Sequence, residues 1–193
     1  MNLQVAAAKM VLGLLSSSDL VDIAVQALVD GSGSLSLGAL AGENDPNWFE
    51  ASSLFERGLR ESDIASPSKR EATWILLMHY LSLIATGQID CYAGMMIIDN
   101  TIYRNAPDDF KNGQFLGDGL KIEHCYTWYR ELEDAEDGSM LLYYSDLPKK
   151  EAISKFREHL IEEAAKALER IQREQGEAVQ STQTPFSAIS TVV

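Results

Sequence analysis

The chain has 193 residues, of which 29 are acidic and 16 basic, for a formal charge of −13. A surface so anionic repels nucleic-acid phosphates and acidic lipid, which excludes nucleic acid and membrane as main partners. At this length a chain buries roughly 70% of the surface its unfolded form exposes, enough for one domain without disulfide or metal staples.

The N-terminal stretch reads as an amphipathic helix over Leu3–Leu15 with no basic region ahead of it, so a signal peptide is not expected and a cytoplasmic location is. Ser17 or Ser18 is the expected cap of a second helix, in which Leu20, Ile23, Ala24, Ala27 and Leu28 recur at helical spacing until Gly31. A short helical piece follows over Leu35–Ala41. Asp45-Pro46 then announces a helix carrying Trp48, Phe49, Leu54, Phe55 and Leu59. The pattern from Ser17 to Glu61, Ser-Ser-Asp-Leu-Val through Leu-Phe-Glu-Arg-Gly-Leu-Arg-Glu, resembles the opening of small helical bacterial proteins. That resemblance implies helix caps and core positions and no function.

The segment Ala72–Ala85 is apolar on every side of a helical wheel, which predicts a helix buried all round. Its 14 residues fall short of the ~20 needed to span a bilayer. Ser66 and Pro67 read as its start and Gly87 as its stop. The loop before it is short, so the preceding helix is expected to be its antiparallel neighbour. Asp90 caps a helix with Tyr92, Met95, Met96, Ile98, Ile102 and Tyr103. Residues 106–119, rich in glycine and aspartate, are expected to form the longest interior loop and a hinge. A helix over Leu120–Glu136 places Ile122, Cys125, Tyr126, Tyr129 and Leu132 on one face, with Trp128 on another. The longest helix opens at Asp146 and Pro148 and carries Ile153, Phe156, Leu160, Ala164, Ala167 and Ile171. Residues 176–193 lack periodicity and are expected to be a flexible, disordered tail.

These elements predict an all-α fold: a compact bundle of seven to eight helices around a fully buried central helix, with residues 1–175 as a single domain. Chemistry is harder to place. His79, His124 and His159 lack metal-ligand spacing, the glycine pairs complete no phosphate loop, and Cys91 and Cys125 have no diagnostic context, so no metal, cofactor or catalytic residue is expected.

One constellation stands out. Tyr126, Trp128, Tyr129, Tyr143 and Tyr144 surround Glu131, Glu133, Asp134, Glu136 and Asp137, as aromatic anchors rimmed by carboxylates would for a cationic partner. The expected function is a non-enzymatic acidic interaction module that neutralises or adapts a basic protein. The alternative is an enzyme or small-ligand domain with a pocket lined by Met78, His79, Tyr80, Met95 and Met96.

Overall fold

In the computed structural model, which describes residues 2–182 and side chains as far as Gln175, polar caps set the helix starts. Asn2 caps α1 (Leu3–Val11), Ser16 caps α2 (Ser17–Val29) and Ser34 caps α3 (Leu35–Ala41). Asn47 caps α4 (Trp48–Glu61), Ser68 caps α5 (Lys69–Ala85) and Asp90 caps α6 (Cys91–Ile97). In each, a side-chain oxygen accepts a first-turn backbone N–H that has no partner inside the helix. Three caps differ from expectation: Ser16 for Ser17 or Ser18, Asn47 for Asp45, and Ser68 for Ser66. At Ser16 and Ser68 the reason is reciprocal bonding, since Asp19 and Glu71, three residues on, bond back to the cap N–H; at α4 it is the side chain of Asn47, beyond Pro46, which takes the Glu50 N–H at 3.0 Å.

From α6 the chain runs directly into a π-helix, Ile98–Tyr103, and then through residues 106–119. That segment, where a hinge was expected, touches the core at two side chains. Ala106 and Phe110 are buried, the Phe110 ring meets Trp74 edge-on at 5.1 Å, and Arg70 pairs with Asp109. α7 (Glu123–Asp137) ends at Gly138, whose φ of 83° is the left-handed conformation that a side chain resists. α8 (Lys149–Thr182) has 34 residues and is about 50 Å long. It passes through Gly176, where the tail was expected to begin, because one glycine costs only ~1 kcal/mol in a helix. The remainder of that expected tail, 183–193, lies outside the described residues. Among the described residues every regular element is helical.

The helices pack around two apolar clusters. One gathers Leu76, Leu77, Leu81 and Ile84 of α5 with Met95, Ile98, Ile102, Leu132, Phe156 and Leu160. The other joins Leu20, Ile23 and Ala24 of α2 to Leu37, Leu40, Phe55 and Leu59 of α3 and α4. α1 serves both: Val5, Ala8 and Leu12 enter the first cluster, while Ala6, Ala7 and Met10 enter the second. Three consecutive alanines, all fully buried, let helices approach α1 from opposite sides.

This arrangement corrects two expectations. α4 is not the neighbour of α5, which packs instead against α1, α6 and α8, because α4 buries its stripe in the second cluster. Nor is α5 enclosed on all sides. No residue from Ala72 to Ala85 is exposed, yet Trp74, Ile75, Met78, His79 and Tyr80 are only half-buried. α5 is therefore central with one wetted side.

Candidate functional site

The end of α7, the loop 138–148 and the start of α8 form the most distinctive surface. Gly138 turns the chain back, and the Ser139 N–H donates to Asp137 at 2.9 Å. Glu131, which the sequence placed on a binding surface, is 2% exposed and faces inward. Its carboxylate accepts the N–H of Leu142 at 3.2 Å and of Tyr143 at 3.3 Å. A buried acceptor on a rigid helix thus fixes the backbone of an irregular loop.

The loop side chains sort by direction. Leu141, Tyr144 and Leu147 pack against the first cluster. Tyr144 has a φ of +52°, uncommon for a residue with a side chain, and is held there by its hydroxyl at 2.8 Å from His159 Nε2. Its ring lies parallel to that of His159 at 5.9 Å, while Trp128 stacks on His159 at 4.4 Å and on Phe156 at 6.2 Å. Met140 and Leu142 face the other way, 82% and 76% exposed, and Tyr143 is exposed with its ring 5.1 Å from Trp128. Glu136, Asp137 and Asp146 stand exposed around them, while Glu133 and Asp134 are half-buried and Glu133 is paired with Arg130.

The structure therefore keeps part of the expected constellation and removes the rest. Trp128, Tyr143 and Tyr144 come together, joined by Phe156 and His159 from α8. Tyr126 and Tyr129 do not join them, because their α7 face points into the core, where both are almost inaccessible. The Tyr126 hydroxyl donates to Asp99 at 2.8 Å, and Tyr129 packs on Tyr92. Burial pushes both phenols up, with the Asp99 carboxylate adding to it at Tyr126 and Glu133 at Tyr129. Neutral buried rings serve packing. Sequence spacing could have separated them, since 126 and 129 share the stripe of Cys125 and Leu132. Met140 and Leu142 were missed as site residues because a run of apolar residues reads as a strand or core segment.

The alternative pocket does not assemble. Met95 is buried, Met96 is exposed, and Met78 and Tyr80 open into separate hollows. Met78 lines a groove of about 530 Å³ with Trp74, Pro67 and Arg70, and Tyr80 one of about 300 Å³ with Lys9 and Ile102. His79 stacks edge-on against Tyr80, and burial, with Lys9 nearby, lowers its pKa. Both cysteines are buried, and burial raises both thiols, Cys125 to about 12.

Among the described residues no three His, Cys, Asp or Glu side chains gather as a metal site, and no helix is long and apolar enough to cross a membrane. No protein-family model, curated protein sequence or solved structure matches the chain.

Proposed function

We propose that this protein is an acidic helical interaction module that holds a basic protein partner on the loop 138–148, to neutralise or adapt it. The observation that carries the reading is the pair Met140 and Leu142, both largely exposed, on a loop whose backbone is fixed by the buried Glu131. Large apolar side chains held in water by an ordered loop lose favourable burial that a partner restores, and a pre-set loop loses little freedom on binding. Glu136, Asp137 and Asp146 around them favour a cationic partner and steer its approach. Tyr143, resting on Trp128, adds an aromatic anchor of the kind that dominates such contacts.

The test uses the protein that co-purifies with the chain from its native host. Replacing Met140 and Leu142 together by Ser should weaken retention of that protein at least about thirtyfold, ~2 kcal/mol, with the thermal melt unchanged. Charge reversal at Glu136 and Asp137 should chiefly slow association and reduce its salt dependence. Full retention by the Met140→Ser/Leu142→Ser double variant would refute the assignment of this surface.

A further inference from the structure

The second cluster carries an apolar face of its own that points away from the core. On α2, Leu20, Ile23, Ala24 and Ala27 face inward and are buried. On the flank beside them Val25, Leu28 and Val29 are exposed, Val29 by 75%, and Val21 at their head is half-buried. Positions 21, 25, 28 and 29 follow helical spacing, so these side chains form one continuous stripe along just over two turns. A helix needs only its buried face to pack into its own fold, and the apolar arc of α2 continues well beyond that face into solvent.

The surroundings of the stripe identify what it fits. Between Lys9 and Arg57 the chain holds seven acids and no base. Asp22 lies on the outer side of α2 beside Val25. At the head of the stripe a hollow of about 300 Å³ is lined by Val21, Asp22, Glu43, Asp45 and Pro46. α4 opens beside it, and its first two residues, Trp48 and Phe49, are exposed, Phe49 by 82%. A partner must therefore bring aliphatic side chains for the stripe and cations for its edge. A second copy of the chain would set these carboxylates against one another, and like charges facing across an interface are unfavourable.

We infer that the outer face of α2, with the first turn of α4, is a docking surface for an amphipathic helix with aliphatic residues at i, i+4 and i+7 and Lys or Arg along its flanks. Helix-on-helix docking with a charged border is the recognition mode this geometry serves. The surface belongs to the α2–α4 layer, and the loop 138–148 to the α7–α8 end of the other cluster, so the two sites are spatially separate.

The probe is a 15-residue amphipathic peptide of Leu and Lys in that spacing, added to the isotope-labelled full chain, with the same peptide carrying Glu in place of Lys as control. The Lys peptide should shift backbone amide resonances of 18–30 and 43–50 and bind in a saturable manner; the Glu peptide should not bind. Val25→Lys with Val29→Lys should weaken the Lys peptide at least about tenfold while leaving the melt unchanged, because both side chains already face water. Met140→Ser with Leu142→Ser should leave the shifts on α2 intact. Shifts confined to 136–147, equal binding of the Glu peptide, or undiminished affinity in the Val25/Val29 variant would each overturn the inference. So would concentration-dependent dimers of the wild-type chain that the two lysines abolish, since a second copy would then own the face.

Discussion

Glu131 sits near the middle of α7 with almost no contact with solvent, and its two bonds to the loop backbone are what turn the chain between Gly138 and Leu147 into a fixed structure. Bonds from a backbone N–H to a charged acceptor contribute about 1.5–3 kcal/mol each. Glu131→Ala should therefore speed hydrogen exchange at the Leu142 and Tyr143 amides far more than at the α7 amides around residue 128. Equal protection in the variant would mean that Leu141 and Leu147 alone position the loop. Glu61 plays a comparable part at the start of α3, accepting the hydroxyls of Ser34 and Ser36 and the Ser36 N–H. The Ser36 hydroxyl first, then the Ser36 N–H and the Ser34 hydroxyl, hold its carboxyl at about 2, below its ordinary 4.5. The folded chain thus takes up this proton less readily than the unfolded one. The stabilisation is complete above the ordinary glutamate range and is lost as pH falls from there towards 2. Melting temperatures measured from pH 6 to pH 2 should fall less steeply for Glu61→Gln than for the wild type. Parallel curves would assign the acid sensitivity to other carboxylates.

At the scale of elements, close approach decides how α5 and α6 meet. A methyl group on Gly94 would lie 2.5 Å from the Ile84 side chain, so α6 lies against α5 at a distance that only glycine permits. Gly94→Ala gains helix propensity of about 1 kcal/mol but forces Ile84 off its position in a close-packed interior, at a cost of about 1–3 kcal/mol. The variant should melt at a lower temperature, and Gly94→Ala combined with Ile84→Val should recover part of the loss. No recovery would show that the strain is relieved elsewhere. α8 illustrates the opposite regime. Its exposed ion pairs, Lys155 with Glu158 and Lys166 with Glu163, stand three residues apart. At the surface such pairs contribute little to stability, while Phe156, Leu160, Ala164 and Ala167 fix the helix on α5 and α7.

For the whole molecule, α1 is the shared element of two clusters that otherwise recruit different helices. Opening either cluster uncovers one face of α1, so the two should unfold together. Variants that retain a single tryptophan report each side: Trp48 stands on the α2–α4 layer, and Trp74 packs against the first cluster. Denaturant transitions followed through the two reporters should coincide. An earlier transition at Trp48 would show that α2, α3 and α4 open as a separate unit. The two proposed surfaces lie on different clusters, so cooperative unfolding would also mean that binding at one stabilises the scaffold of the other.

The all-helical class, the sequence order of the helices and the inward stripe of α8 follow from the sequence alone, because apolar spacing, serine and aspartate caps and helix-ending glycines are local signals. Asp90 before α6 and Gly87 after α5 are read correctly for that reason. Pairing of helices is not local. α5 carries apolar residues on all sides, so its pattern names no partner, and only the buried alanines of α1 decide that α1 rather than α4 lies against it. The candidate site divides in the same way. Trp128, Tyr143 and Tyr144 could be read as a group from their composition, but Glu131 looked like one more surface acid until the returning loop brought two backbone N–H groups to it. Met140 and Leu142 carry the apolar character of core residues, and what exposes them is the tertiary bond between Glu131 and the loop, eleven and twelve residues away along the chain.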